Sequence, residues 1–167
     1  MPQILDLEVQ AMLAADAKLI SRWRYSGQYA LYDRPLSRES ESEEYMLDPR
    51  NGFHAVRGLS GLVGFCSFGS DGRVPGRTYE GDALDVGAGM DPALVGSGYG
   101  RSFLAAIVEY AVRELNAVRL RATIASWNER ALRAWCSVGF RPISTFRTDQ
   151  DSQFAILLRD ARDVTGQ

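Results

Sequence analysis

The sequence predicts an α/β domain in which helices cover both faces of a mixed β-sheet. Segments of period two, typical of strands, alternate with segments of helical period in the order β-α-α-β-β-β-α-β-α-β-β. The 167 residues suit a single core, and no linker, repeat or low-complexity stretch divides them, so residues 1–167 are predicted to form one domain. A third observation is the direct succession of a strand, a glycine-rich turn and a long amphipathic helix over residues 81–115.

The first half of the chain is predicted to contain three strands and two helices. Apolar residues at Ala17, Ile20 and Trp23 have the spacing of one helix face. An aromatic stretch, residues 22–35, ends at a proline and is interpreted as a loop with a short ordered segment. The predicted strands are 4–11, 53–58 and 62–68, and the predicted helices are 14–23 and 37–47.

The second half is predicted to contain four strands and two helices. Asn128 is a suitable N-cap for the shorter helix, and Gly139 is a suitable residue to end it. The predicted strands are 82–90, 118–125, 140–147 and 154–160. The longer helix carries one apolar stripe that would lie on the sheet, formed by Leu104, Ile107, Val108, Ala111 and Leu115.

Composition argues against several classes of protein. The net charge of −2 offers no general surface for nucleic acid or for an anionic membrane. The sequence shows neither an apolar run of spanning length nor the pattern of an export signal, so we expect a cytoplasmic protein. Cys66 and Cys136 are far apart, and with His54 as the one histidine no metal site is expected.

The glycine-rich turn has glycine at every second position, Gly96, Gly98 and Gly100. Glycine lets the backbone approach a ligand closely, and the helix that follows presents unpaired N–H groups to the same point. Such a turn is suited to a phosphate. Its spacing differs from the dinucleotide pattern G-x-G-x-x-G and from the triphosphate pattern G-x-x-x-x-G-K-[ST]. A pyrophosphate held without lysine or magnesium, as in coenzyme A, remains; the alternative is a turn that only needs flexible backbone.

Two motifs resemble those of the GNAT-type N-acetyltransferases. Residues 85–100 are similar to that family's strand and acetyl-CoA loop. Residues 128–140, N-x-x-A-x-x-x-W-x-x-x-G-F, resemble its second motif, which carries tyrosine in place of tryptophan. The match covers residues 82–140, and the first half of the chain carries no diagnostic motif. The resemblance implies a mostly antiparallel sheet with a splayed central strand pair, and direct acetyl transfer from acetyl-CoA to a primary amine.

The resemblance also implies a set of functional residues. A carboxylate is expected to take a proton from the amine. Asp85, where some members carry a glutamate, is the first choice among Asp85, Asp82 and Glu80 at the start of the central strand; the alternative is an aspartate at a solvated strand edge. A backbone N–H between Gly89 and Asp91 is expected to bind the thioester oxyanion, with Gly87 and Gly89 suited to a β-bulge there. The implied coenzyme-binding residues are Ala88, Gly89, Met90, Val95, Gly96, Ser97, Gly98, Tyr99, Gly100, Arg101, Asn128, Ala131 and Trp135.

Two positions depart from the family pattern. Val95 stands where the loop usually begins with Gln or Arg, so Arg101 or a neighbouring arginine would have to supply that charge. Trp135 stands where many members carry the tyrosine that protonates the leaving thiolate, and an indole N–H does not release its proton near neutral pH. Either the thiolate leaves unaided, or Cys136, Ser137 or a water protonates it. A plain core role for Trp135 and a plain capping role for Asn128 remain open.

Several interpretations of function follow from these residues. The leading one is an N-acetyltransferase that acts on a small-molecule amine or a protein N-terminus, in a protein that pairs as family members often do. The alternatives are a non-catalytic acyl-CoA-binding module, which the tryptophan favours, and a nucleotide-binding α/β protein. Aromatic residues of the first half are candidates for the acceptor pocket, or simply for packing: Trp23, Tyr25, Tyr29 and Tyr32.

Overall fold

The computed structural model describes residues 6–162 and places seven strands in one sheet, in the order β1-β2-β3-β4-β5-β7-β6. The order of elements along the chain is the predicted one, and the mixed α/β architecture is confirmed. The strands are β1 Glu8–Ala11, β2 Phe53–Gly58, β3 Gly61–Phe68, β4 Leu84–Met90, β5 Arg119–Ala125, β6 Arg141–Arg147 and β7 Gln153–Asp160. The helices are α1 Ala14–Ser21, α2 Glu39–Leu47, α3 Gly100–Arg113 and α4 Glu129–Ser137.

Most element boundaries differ from the predicted ones by one or two residues. The first strand begins later, at Glu8, and the predicted positions 4 and 5 lie outside the described residues. The polar helix α2 follows a short 3-10 turn, Leu36–Arg38, which the sequence pattern had merged with it. Within the aromatic stretch the ordered segment is a second 3-10 turn, Gly27–Tyr32.

The helices form two layers, one on each face of the sheet. The larger core lies under α3 and α4, where Leu104 and Ile107 of the predicted stripe pack against the strands together with Phe103. Leu115 was also predicted to join the stripe, but it lies beyond the end of α3 and is exposed. A smaller core on the opposite face joins α1, α2 and the sheet through Ile20 and Met46. Among the described residues, no helix is both long and apolar enough to span a membrane.

Neighbouring strands are antiparallel except β4 and β5, which run parallel and pair at only two register positions. Beyond Asp85, β4 stays paired with β3 as far as Met90, while β5 stays paired with β7 as far as Ala125. The two central strands therefore diverge toward their carboxyl ends and leave a wedge-shaped gap. This is the splayed pair that the family resemblance implies.

The bulge expected in β4 is absent, because the register between β3 and β4 runs without a shift from Val86 to Met90. The two glycines make room for neighbouring side chains instead. A Cβ on Gly89 would lie 2.4 Å from the ring of Phe65, and one on Gly87 would lie 2.7 Å from the hydroxyl of Ser67. Glycine at both positions thus lets side chains pack directly against the β4 backbone.

A buried ion pair closes the narrow end of the gap. Asp85 and Arg121 are register partners at the last point where β4 and β5 pair. The Arg121 guanidinium donates to both carboxylate oxygens of Asp85, at 2.6 and 2.8 Å, and Arg73 donates to the same carboxylate at 2.8 Å. The side chains of Asp85 and Arg121 are only 2% and 5% exposed. This hydrogen-bonded pair ties the two strands together where the gap begins.

We expect Asp85→Asn to lower the free energy of unfolding by about 3 kcal/mol, because it leaves the Arg121 charge buried without its partner. Urea denaturation measures the change. The matched control is Asp160→Asn, which removes an exposed partner from Arg119 on the same strand and should change stability little. Equal, small effects of the two substitutions would show that Asp85 is not needed to hold the strands.

Candidate active site

The gap between β4 and β5 opens into a cleft of about 740 Å³. The carboxyl half of β4 and the glycine-rich turn form one wall, and β5 with α4 forms the other. The 3-10 turn Gly27–Tyr32 and the residues beside it cover the end nearest α1. The cleft therefore joins the glycine-rich turn and α4 of the second half to the aromatic stretch of the first.

Only alternate backbone N–H groups of β4 face the cleft, and the others are bonded to β3. The N–H of Asp91 donates to the carbonyl of Val63 on β3, at 2.8 Å. Since backbone groups of a strand point alternately to its two neighbours, Gly89 also faces β3, whereas Ala88 and Met90 face the gap. Ala88 and Met90 thus fit the predicted oxyanion and coenzyme contacts, and the amides of Gly89 and Asp91 do not.

The glycine-rich turn leaves backbone donors free at the start of α3. Gly96 and Gly98 have φ of +80° and +86°, a left-handed conformation that favours glycine. No side chain caps the helix at Tyr99. Among the described residues, the amides of Gly98 to Arg101 have no protein acceptor. These donors, at the positive end of the helix dipole, fit the oxygens of a pyrophosphate.

The residues of the turn do not all reach the cleft. Ser97 and Tyr99, which were expected to bind the coenzyme, are not part of the cleft lining. The turn residues that do line the cleft are Val95, Gly96, Gly98, Gly100 and Arg101.

Arg130 supplies positive charge beside the glycine-rich turn. The turn itself lacks that charge at its start, because Val95 stands where the family usually has Gln or Arg. Its guanidinium stacks on the ring of Tyr29, 3.9 Å from the ring centroid, and its Nη1 lies 4.0 Å from the position of a Cβ on Gly96. The described residues offer it no carboxylate partner. Sequence reasoning missed Arg130, although its place two residues after the N-cap Asn128 puts it on the first turn of α4.

On α4 the structure supports the structural roles left open for Asn128 and Trp135. The Asn128 side chain accepts from the N–H of Ala131 and donates to the hydroxyl of Tyr32, both at 3.1 Å. Trp135 is 4% exposed and packs edge-on against Phe140 at the floor of the cleft. Contacts of Asn128, Ala131 and Trp135 with a coenzyme stay predictions.

The two predicted catalytic side chains do not reach the cleft. Cys136 is exposed and lies outside the cleft lining, because it projects from another side of α4, so the structure argues against it as the acid; Ser137 does line the cleft. Asp85 is buried, outside the lining and bound by Arg121 and Arg73. Both of its oxygens are occupied by guanidinium donors and neither faces the cleft, so the geometry argues against Asp85 as the base.

Asp71 is the carboxylate that the described part of the cleft does present. It lies in the 3-10 turn Ser70–Gly72 between β3 and β4, where it accepts from the hydroxyls of Tyr45 and Ser67, both at 2.8 Å. Its Oδ2 is 3.7 Å from the position of a Cβ on Gly87. This segment lies between the predicted strands 62–68 and 82–90, and no local sequence motif singles out its aspartate.

Four aromatic residues of the first half line one end of the cleft: Trp23, Tyr25, Tyr29 and Tyr32. Their role in an acceptor pocket stays a prediction. The hydroxyl of Tyr25 donates to the carbonyl of Met90 at 2.8 Å, and burial raises the pKa of Tyr25 to about 12. The rings of Tyr29 and Tyr32 pack against Trp127 at the start of α4, with centroids 5.4 and 5.9 Å apart. Part of this cluster therefore packs against the cleft's own wall.

Comparisons with known proteins agree with this architecture. Residues 2–141 match the family model described as an acetyltransferase (GNAT) domain. A search of curated proteins found no match. Aminoglycoside acetyltransferase AAC(6')-Ib, in complex with paromomycin and acetyl-CoA, superposes with a TM-score of 0.76 at 15% identity, covering 97% of this chain and 98% of that chain.

Two further solved structures share the fold. An acetyltransferase of the GNAT family from Bacillus anthracis has a TM-score of 0.71 at 15% identity, covering 96% of this chain and 98% of that one. A chimera of the spermidine N-acetyltransferase SpeG from Vibrio cholerae and hSSAT has a TM-score of 0.69 at 16% identity, covering 93% and 96%. The expected fold is thus confirmed over nearly the whole length of the chain.

We expect Gly98→Val to weaken acetyl-CoA binding by at least about tenfold, or 1.4 kcal/mol, because a branched side chain would occupy the approach to the free amides. Isothermal titration calorimetry measures the affinity. Gly81→Val is the matched control: Gly81 has φ of +88° against +86° for Gly98, its Cβ position is equally open, and it lies outside the cleft. Both variants should lose stability alike, and an equal loss of affinity in both would contradict a binding role for the turn.

Proposed function

The chain belongs to the GNAT family of acetyltransferases, and we propose that it transfers the acetyl group of acetyl-CoA directly to a primary amine. One observation carries the proposal. The free amides of the glycine-rich turn, the unpaired edge of β4 and the carboxylate of Asp71 all line the same cleft. This arrangement suits a long, anionic thioester that meets an amine at the wide end of the gap.

The coenzyme is held chiefly by backbone. The amides of Gly98, Gly100 and Arg101 bind the pyrophosphate, and the Arg130 guanidinium adds charge where Val95 adds none. The pantetheine arm lies in the gap, where the N–H groups of Ala88 and Met90 replace the missing strand partner. This placement brings the thioester to the end of β4, beside Tyr25.

The reaction needs a neutral amine, although an alkylammonium group has a pKa of about 10. Asp71 receives the amine and accepts its proton, directly or through one water. The amine nitrogen then attacks the thioester carbonyl, and the N–H of Met90 or Ala88 stabilises the developing oxyanion. As the nitrogen–carbon bond forms, the carbon–sulfur bond breaks. The nitrogen releases its second proton, which passes through water to the departing thiolate.

The acceptor is proposed to be a small-molecule amine. The structural neighbours include an aminoglycoside acetyltransferase and a spermidine acetyltransferase, which supports this class of acceptor. A cleft closed at one end by Tyr25 and the turn Gly27–Tyr32 also suits a small molecule. Acetylation of a peptide N-terminus and pairing of two chains stay predictions, which a peptide panel and analytical ultracentrifugation test.

Release of free coenzyme A tests the proposed reaction. The protein is mixed with acetyl-CoA and a panel of primary amines, and the free thiol is followed with a chromogenic disulfide reagent. We expect amine-dependent release with one N-acetylated product per thiol, which mass spectrometry confirms. Acetyl-CoA binding without release across the panel would contradict the transferase and indicate a binding module instead.

Asp71→Asn should lower kcat by about 100-fold or more at neutral pH, because the amide cannot accept the amine's proton. Affinity for acetyl-CoA, measured by calorimetry, should stay within twofold, since Asp71 lies away from the glycine-rich turn. Asp149→Asn, in the exposed β6–β7 turn, is the charge-matched control and should leave kcat unchanged. If Asp71→Asn retains wild-type kcat across the pH range, another group is the base.

A further inference from the structure

Arg34 is a cationic side chain of the cleft that the proposed reaction leaves without a role. It precedes Pro35 at the end of the aromatic stretch and lines the acceptor end of the cleft. Its guanidinium carbon lies 5.6 Å from the ring centroid of Phe65 and 5.7 Å from that of Phe53. Arg34 is therefore stacked on apolar rings rather than extended into solvent.

Among the described residues, no carboxylate forms an ion pair with the guanidinium of Arg34. The guanidinium of Arg34 has neither a hydrogen-bond acceptor nor an ion-pair partner there, whereas Arg73 and Arg121 both bind Asp85. The side chain is half-buried, and that burial lowers the pKa of Arg34 below its ordinary value. Guanidinium donors held away from water in this way are suited to a planar carboxylate, which they bind in a bidentate manner.

The opposite charge lies in the same end of the cleft. Asp71 is close enough to Arg34 to favour its charged form, yet the two groups form no ion pair. Two hydroxyls, those of Tyr45 and Ser67, hold the Asp71 carboxylate in place. An anion-binding and a cation-binding group thus face one chamber with space between them.

We propose that the acceptor is a zwitterionic amine of the amino-acid type, whose carboxylate binds Arg34 while its amine meets Asp71. The proposal rests on the proposed function and names its substrate class. It separates this chain from its polyamine-acetylating neighbours, because the Arg34 charge repels a second ammonium group at the position where it attracts a carboxylate.

Matched amines test the proposal. The assay follows coenzyme A release with lysine against cadaverine, ornithine against putrescine and tyrosine against tyramine, and with spermidine. We expect kcat/KM at least tenfold higher for the amino acid within a pair.

Arg34→Met should remove this preference mainly by raising KM for the amino acid, and Arg34→Lys should keep part of it. Because the carboxylate also changes the pKa of the amine in every enzyme form, the ratio between wild type and Arg34→Met isolates Arg34.

The control variant is Arg38→Met, which removes an exposed arginine four residues away and should leave the preference intact. Unchanged acetyl-CoA affinity and circular dichroism show that Arg34→Met is folded. Equal or better turnover of the decarboxylated amines or spermidine by the wild type would overturn the inference and leave the proposed function standing. Failure to bind acetyl-CoA would instead overturn the proposed function.

If acetyl-CoA binds and none of these amines is acetylated, the affinity for acetylated products tests whether Arg34 binds a carboxylate. Calorimetry then compares N-acetyltyrosine with N-acetyltyramine, titrated into protein loaded with coenzyme A. Tighter binding of the carboxylate to wild type, lost in Arg34→Met, supports the proposal. Equal binding of the two compounds, or no binding of either, overturns it.

Discussion

The ion pair between Asp85 and Arg121 is the constraint on which the rest of the structure depends. Both side chains are buried, so each charge has lost its water and needs the other. Their strands meet at this position and diverge beyond it, since β4 follows β3 and β5 follows β7. The pair thus fixes the narrow end of the cleft, and the twist and pairing of the flanking strands set its opening. Arg73 extends this network into the loop that carries Asp71.

The sequence was sufficient for the fold and for the main-chain part of the site. Period, glycine spacing and caps are local signals, so the element order and the free amides near Gly98 could be predicted from them. Contacts between residues that are distant in sequence could not be predicted from local signals. Asp85 is 36 residues from Arg121, and nothing near it indicates a buried ion pair rather than a base. Asp71 and Arg34 likewise acquire meaning only when β3, β4 and the aromatic stretch are brought together.

The position of a side chain around a helix was a second limit. Cys136 and Ser137 are adjacent in sequence, but only Ser137 lines the cleft. The one-residue step turns the side chain by about 100°, which is enough to move it out of the site. Trp135 illustrates the opposite case. Its helical spacing allowed a core role, which the sequence analysis left open beside a coenzyme contact, and its burial and edge-on contact with Phe140 support that core role.

The side-chain amide of Asn128 connects α4 to the aromatic segment that contains Tyr32. One end of the group holds the first turn of α4, and the other holds Tyr32 in the segment that covers the acceptor end. Arg130 and Tyr29 form a second link between the same two elements. An anion that binds Arg130 therefore also affects the position of Tyr29, on which the guanidinium stacks. If the phosphates bind at Arg130 as proposed, they would also order the segment that carries Tyr29 and Tyr32 before the second reactant arrives. That coupling favours an ordered sequence in which acetyl-CoA binds first.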